Sequence, residues 1–170
     1  LKTLPKLISK LNIKKPPILL GHSDGASISI IYAGSGLVLK SLILIAPHIF
    51  VEEISINSIK NIKKMWLNSD LKKKLKKYHK DVVGAFKGWC NIWLTEEFKT
   101  WNIEKYLKDI KVPILLIQGK NDEYGSLDQI LGINKQVTTK IENIIIEQCG
   151  HSPFRDHPEI VNNAIKKFLS

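Results

Sequence analysis

Apolar residues along this chain follow two rhythms. Four runs are short and nearly continuous: Pro17 to Leu20, Leu42 to Ala46, Val112 to Gly119, and Ile141 to Glu147. Runs of this kind, rich in Ile, Leu and Val and bounded by turn residues, predict strands buried in a parallel sheet. Between them apolar positions recur at helical spacing. Leu4, Leu7, Ile8 and Leu11 predict a short amphipathic helix with Lys6 and Lys10 between them, ended by Lys14-Lys15-Pro16-Pro17. Ser27 to Ala33 predicts a second helix, stopped at Gly34-Ser35-Gly36, and Ser126 to Gln136 a third. Ile160, Val161, Ala164, Ile165 and Phe168 share one face of a last helix that opens at His157-Pro158, with proline in its first turn. Strands alternating with helices predict the α/β class, a parallel sheet with crossover helices.

One stretch breaks this alternation. From residue 50 to 109 no buried-strand run occurs, and several helical stretches follow one another. Ser69-Asp70 is placed to cap a helix through Tyr78. Phe86, Trp89 and Trp93 recur at helical spacing, followed by Phe98, Trp101 and Tyr106, so most aromatic residues lie in this insert. Such a stripe packs an insert internally, and one this rich can also line a pocket. The expected organisation is therefore a core of residues 1–49 and 110–170, with a helical insert at 50–109.

Composition narrows the chemistry. With 170 residues and 44% hydrophobic positions the chain can bury a core. No apolar run is long enough to span a membrane. Cys90 and Cys149 are far apart and outside any zinc spacing, so they read as reduced thiols of a cytoplasmic protein. The net charge of +10 raises nucleic acid or an anionic surface as a partner. The lysines are spread over most of the chain, however, and Arg155 is its one arginine. Nucleic-acid readers use arginine for bidentate contacts, so the charge reads as solvated lysine faces, with neither nucleic acid nor membrane as partner.

The candidate chemistry begins where the first strand ends. Gly21-His22-Ser23-Asp24-Gly25 is a Gly-x-Ser-x-Gly sequence between a strand and a helix. That context defines a nucleophile elbow, which lifts a serine hydroxyl clear of the sheet at a strained backbone angle. Gly21 and Gly25 are expected to leave room that a Cβ would fill. The amide of Asp24, at the start of the helix, is the candidate oxyanion donor. His22 reads as a packed structural histidine. Two further polar residues follow later strands: Asp122 after the third and His151 after the fourth. C-terminal strand ends share one edge of a parallel sheet, so Ser23, Asp122 and His151 are expected to meet there. Their roles would be nucleophile, orienting acid and proton shuttle. Glu123 is a second carboxylate in the same turn, and the Gly-x-x-Asp spacing from Gly119 favours Asp122. His48, at the end of the second strand, reads equally as a pocket or a hinge residue. Trp89, Trp93 and Trp101 are pocket candidates within the insert. Arg155 and Asp156 are placed to pair with each other or to cap the last helix, and Cys149 reads as packing. The chemistry needs no metal and no organic cofactor.

Gly21-His22-Ser23-Asp24-Gly25, Gly119-Lys120-Asn121-Asp122, Gly150-His151 and Ala46-Pro47-His48 together resemble the α/β-hydrolase fold superfamily. Among its members the chain is similar to enol-lactonases, meta-cleavage product hydrolases and small carboxylesterases. The resemblance implies a serine hydrolase for a small ester, lactone or diketone-like C–C bond, with the insert as a helical cap over the site. It also implies further strands before the elbow strand, and a His-Gly loop among them that donates a second oxyanion amide. The sequence starts at Leu1 and holds no such segment, so it reads as the C-terminal part of that fold. The elbow strand is then expected to show an unpaired apolar edge, and this part by itself to be a poor enzyme. Two other classes compete: a non-catalytic protein of the same fold that holds a ligand under the cap, and a lysine-driven binder of anionic surfaces. The partner implied is a small-molecule substrate.

Overall fold

The computed structural model describes residues 2–170. In chain order it contains α1 (Thr3–Lys10), β1 (Ile18–His22), α2 (Asp24–Gly34), β2 (Ser41–Ile45), α3 (Glu53–Asn68), α4 (Leu71–Leu75) and α5 (Val82–Trp93). Two 3₁₀ segments, Glu97–Thr100 and Glu104–Asp109, lead to β3 (Ile114–Gly119), α6 (Asp128–Gln136), β4 (Ile141–Ile146), α7 (Pro153–Asp156) and α8 (Pro158–Leu169). The backbone forms two compact units, one of residues 1–50 with 102–170, the other Val51–Trp101.

The first unit holds a four-stranded sheet in the order β1-β2-β3-β4, every pair parallel. Strand pleating assigns its two faces. Ile43, Ile45, Leu115 and Ile117 form one core layer with Val161, Ala164, Ile165 and Phe168 of α8. Leu42, Leu44, Ile114 and Leu116 alternate with them and are fully buried on the other face. β2 and β3 are buried along their whole length, which explains why their sequences are continuous apolar runs.

β1 departs from that pattern. Its parallel pairing is as expected, but Leu20 is 55% exposed. Among the described residues β1 is a sheet edge, with a neighbour on one side only, which is the edge the sequence predicts for the elbow strand. The strand also runs two residues further than expected and ends at His22, directly before Ser23.

Other elements differ from expectation for local reasons. α1 ends at Lys10 rather than at the prolines, because the chain turns through Asn12 at φ 54°. The helix expected through Tyr78 stops at Leu75. Lys72 and Lys76, like Lys73 and Lys77, stand four residues apart in sequence, where equal charges repel on one helix face. Asp70 makes no capping bond there; the Leu71 amide instead donates to Ser69 Oγ at 3.2 Å. Residues 102–110 belong to the first unit, with Leu107 and Ile110 fully buried.

The second unit is helical and held by aromatic contacts. Phe86 stacks on Trp66 with centroids 4.0 Å apart, and Trp89 meets Phe86 edge-on at 6.0 Å. Trp93 is buried against Phe98, and Trp101 stacks on Phe98 at 5.3 Å. These contacts pack the unit internally. Among the described residues no helix is long and apolar enough to cross a membrane, and no cluster of His, Cys, Asp and Glu is suited to a metal.

Candidate active site

Ser23 belongs to the sheet through its amide and to a helix through its carbonyl. Its N–H donates to Ile45 O at 2.9 Å, extending the β1–β2 ladder by one residue. Its C=O accepts from the amides of Ala26 and Ser27, closing the first turn of α2. Meeting both demands in one residue forces φ to 55° and ψ to −122°, a strained conformation for a side chain with a Cβ. Gly21 makes the sharp turn possible, since a Cβ there would run into the Gly25 carbonyl. Gly25 is different from expectation: a Cβ on it meets nothing within 4 Å, because α2 has already turned away from β1.

Ser23, Asp122 and His151 come together at the C-terminal edge of the sheet. His151 Nε2 is 2.9 Å from Ser23 Oγ, and its Nδ1 lies 2.9 Å from both carboxylate oxygens of Asp122. A carboxylate only accepts, so Nδ1 carries the proton and Nε2 is left as the acceptor for the serine hydroxyl. Asp122 is almost fully buried. Burial alone would raise its pKa, but hydrogen bonds from His151, the Tyr124 amide and the Gln118 side chain outweigh it and hold the carboxyl below its ordinary value. The Tyr124 amide donates to Oδ1 at 2.8 Å, and Gln118 Nε2 donates to Oδ2 at 2.9 Å.

Gln118 is a site residue that sequence reasoning missed. It is the penultimate residue of β3, the one polar side chain in an otherwise apolar run, and its amide also donates to Gly125 O at 3.2 Å. One polar residue in a buried strand, four positions before Asp122, was the available signal. Glu123 takes a separate position: its Oε2 accepts the main-chain N–H of His151 at 3.2 Å, while Asp122 faces the ring.

His48 is 2% exposed, with its ring centroid 5.7 Å from that of His151. Burial, reinforced by the nearby His151, lowers its pKa to about 4, so it is neutral at neutral pH. Tyr124 faces His151 at 4.8 Å. Asp24 opens α2 immediately after Ser23, which places its amide at the helix N-terminus beside the serine. Cys149 is buried, and its thiol is pushed up to about 11 by burial and by Asp156, so it stays protonated. Asp156 accepts from the Gly150 amide at 2.9 Å, and the Arg155 guanidinium lies 5.8 Å over the Phe154 ring. Trp89, Trp93 and Trp101 all lie in the second unit.

The chain matches the model of the alpha/beta hydrolase family over residues 2–164. A stretch of 72 residues is 39% identical to a pimeloyl-[acyl-carrier protein] methyl ester esterase of Wigglesworthia glossinidia brevipalpis, and spans 42% of this chain and 28% of that protein. Solved structures resemble it in fold. A serine hydrolase involved in carbazole degradation has a TM-score of 0.73 at 19% identity, over 98% of this chain and 68% of its own. The meta-cleavage product hydrolase of Pseudomonas fluorescens IP01 has a TM-score of 0.72 at 16% identity, over 96% of this chain and 67% of its own. A thermophilic esterase from Thermogutta terrifontis has a TM-score of 0.70 at 17% identity, over 98% of this chain and 69% of its own. With a parallel sheet, a serine at a strand-to-helix elbow, and a family match over nearly its whole length, the chain belongs to the alpha/beta hydrolase family.

Proposed function

We propose that this chain carries the Ser-His-Asp centre of a serine hydrolase that cleaves a small ester, a lactone or the C–C bond of a diketone-like substrate. The carrying observation is the continuous hydrogen-bonded line from Ser23 Oγ through His151 to Asp122, each link 2.9 Å. In the ester reaction, Ser23 Oγ attacks the acyl carbon while its proton passes to His151 Nε2. Asp122 keeps His151 in the productive tautomer and stabilises the imidazolium. The Asp24 amide faces the oxyanion. The imidazolium then protonates the leaving alcohol, and a water activated by His151 releases the acid from Ser23. Every step is acid–base and acyl-transfer chemistry on these side chains, without a metal or organic cofactor. His48 is the candidate for a polar substrate contact.

A second observation narrows the ester. The stretch 39% identical to an esterase of carrier-protein substrates occurs in a chain whose residues 60–87 are dominated by lysine, with Asp70 and Asp81 as the acids there. A small methyl ester borne on an acyl-carrier protein suits that likeness.

The test is a fluorophosphonate probe followed by ester hydrolysis with the full-length protein. Labelling is expected at Ser23, and Ser23→Ala should abolish both labelling and turnover of p-nitrophenyl acyl esters, by at least about 10⁴-fold. A protein that folds, binds an acyl ligand and leaves the probe unreacted is a binding protein of this fold. In the same assay, a carrier-borne ester should outperform the free ester at low salt and lose that advantage as salt rises.

A further inference from the structure

His151 lies in a bend between β4 and α7, where no helix or sheet ladder fixes its main chain. Yet its ring has to reach Ser23 and Asp122 together. Both polar groups of its backbone are nevertheless engaged by side chains. His22 Nε2 is 2.7 Å from the His151 carbonyl oxygen, and Glu123 Oε2 accepts the His151 amide. We propose that His22 and Glu123 are positioning residues that clamp His151 by its main chain, His22 as the dominant one, so that the general base is registered directly against the residue preceding the nucleophile.

The chemistry of the bond sets the state of His22. A carbonyl oxygen only accepts, so His22 must carry its proton on Nε2. Its ring packs edge-on against Phe154 at 5.0 Å and tilted against His151 at 4.9 Å, which limits its rotation. Burial lowers its pKa, although the His151 carbonyl acts in the opposite direction. A neutral His22 adds no charge beside a ring that must itself become cationic. His22 and Ser23 are also covalent neighbours across one rigid peptide, so the clamp transmits the position of the elbow to the base. A displacement of about 1 Å at such a contact can lower a rate by about 10²-fold.

This inference rests on the hydrolase reading for its kinetic consequence, and on hydrogen bonding alone for its spectroscopic one. Nitrogen-15 spectra of the histidine side chains in the wild-type protein should show His22 as the Nε2–H tautomer. His22→Phe keeps an aromatic ring and removes the donor. It should lower kcat by about 10- to 100-fold with KM changed little. His22→Gln restores an amide donor at the same reach and should recover most of that loss, and Glu123→Ala should lower kcat by a smaller factor. An Nδ1–H tautomer, or a His22→Phe protein with wild-type kcat, overturns the clamp. If wild-type Ser23 does not react with the fluorophosphonate, the hydrolase reading is what fails, and the tautomer still decides whether the bond exists.

Discussion

The two units of this molecule handle polar side chains in opposite ways. In the first, polar groups are buried and nearly all are tied to specific partners. Ser27 Oγ donates to His48 O at 2.6 Å, Gln129 Oε1 accepts the Ile49 amide at 2.7 Å, and Gln118 and His151 both meet Asp122. In the second, the interior is aromatic, and the lysines of α4 and its surroundings are exposed. A buried polar group without its partner costs far more than an exposed one, so the first unit tolerates few arrangements of those residues. An aromatic interior can repack with smaller loss. The difference teaches where chemistry can be built: a reacting centre needs side chains held in one geometry, and among the described residues the first unit supplies seven of the buried polar side chains against Ser55 alone in the second.

The comparison breaks most visibly at the carboxylates. Asp122→Asn replaces a carboxylate oxygen with an NH2 donor and removes the charge, so the productive His151 tautomer is no longer enforced, and kcat on an ester substrate should fall by about 10⁴-fold. A circular-dichroism spectrum matching wild type would attribute the loss to chemistry. Retained turnover would show that the buried pairing around Asp122 is structural only.

Acid should separate the units next. The folded-state pKa of His48 is about 4 against an ordinary 6.5, so the unfolded chain takes up its proton first. The stability this represents is present above pH 6.5 and is lost as pH falls towards 4, by about 3 kcal/mol at most. Asp122, whose pKa lies below the ordinary 3.8, acts in the same direction at lower pH. Thermal melts from pH 7.5 down to 4.5 should therefore show a falling Tm, and His48→Phe should flatten the slope. An unchanged Tm over that range would contradict the burial argument.

The smallest effect is expected in the second unit. Asp81 caps α5 by accepting the Gly84 amide at 2.8 Å from an exposed position. Asp81→Ala should destabilise by about 1 kcal/mol in chemical denaturation. Its effect on kcat should be negligible. A rate effect approaching that of Asp122→Asn would mean that the second unit is as tightly coupled to the chemistry as the first.

The amino-acid sequence by itself determined the four strands, the longer helices α2, α6 and α8, and the elbow at Ser23, while the short α7 after β4 was legible only as a turn. These depend on local terms: apolar runs, helical periodicity, and the turn preferences of glycine and proline. It also determined that Ser23, Asp122 and His151 follow three different strands, because each turn is written within a few residues of its strand. Tertiary structure alone decided the rest. The sequence reads Gly21 and Gly25 alike, whereas in the fold a Cβ would collide at Gly21 and meet open space at Gly25. Burial of Leu107 and Ile110 drew residues 102–110 into the first unit. The Gln118 amide on Asp122 and the His22 ring on the His151 carbonyl likewise appear only once β1, β3 and β4 are aligned. His22 and His151 are 129 positions apart, and no periodicity or turn rule reaches that far: such a partner is set by sheet register, which is a property of the folded chain.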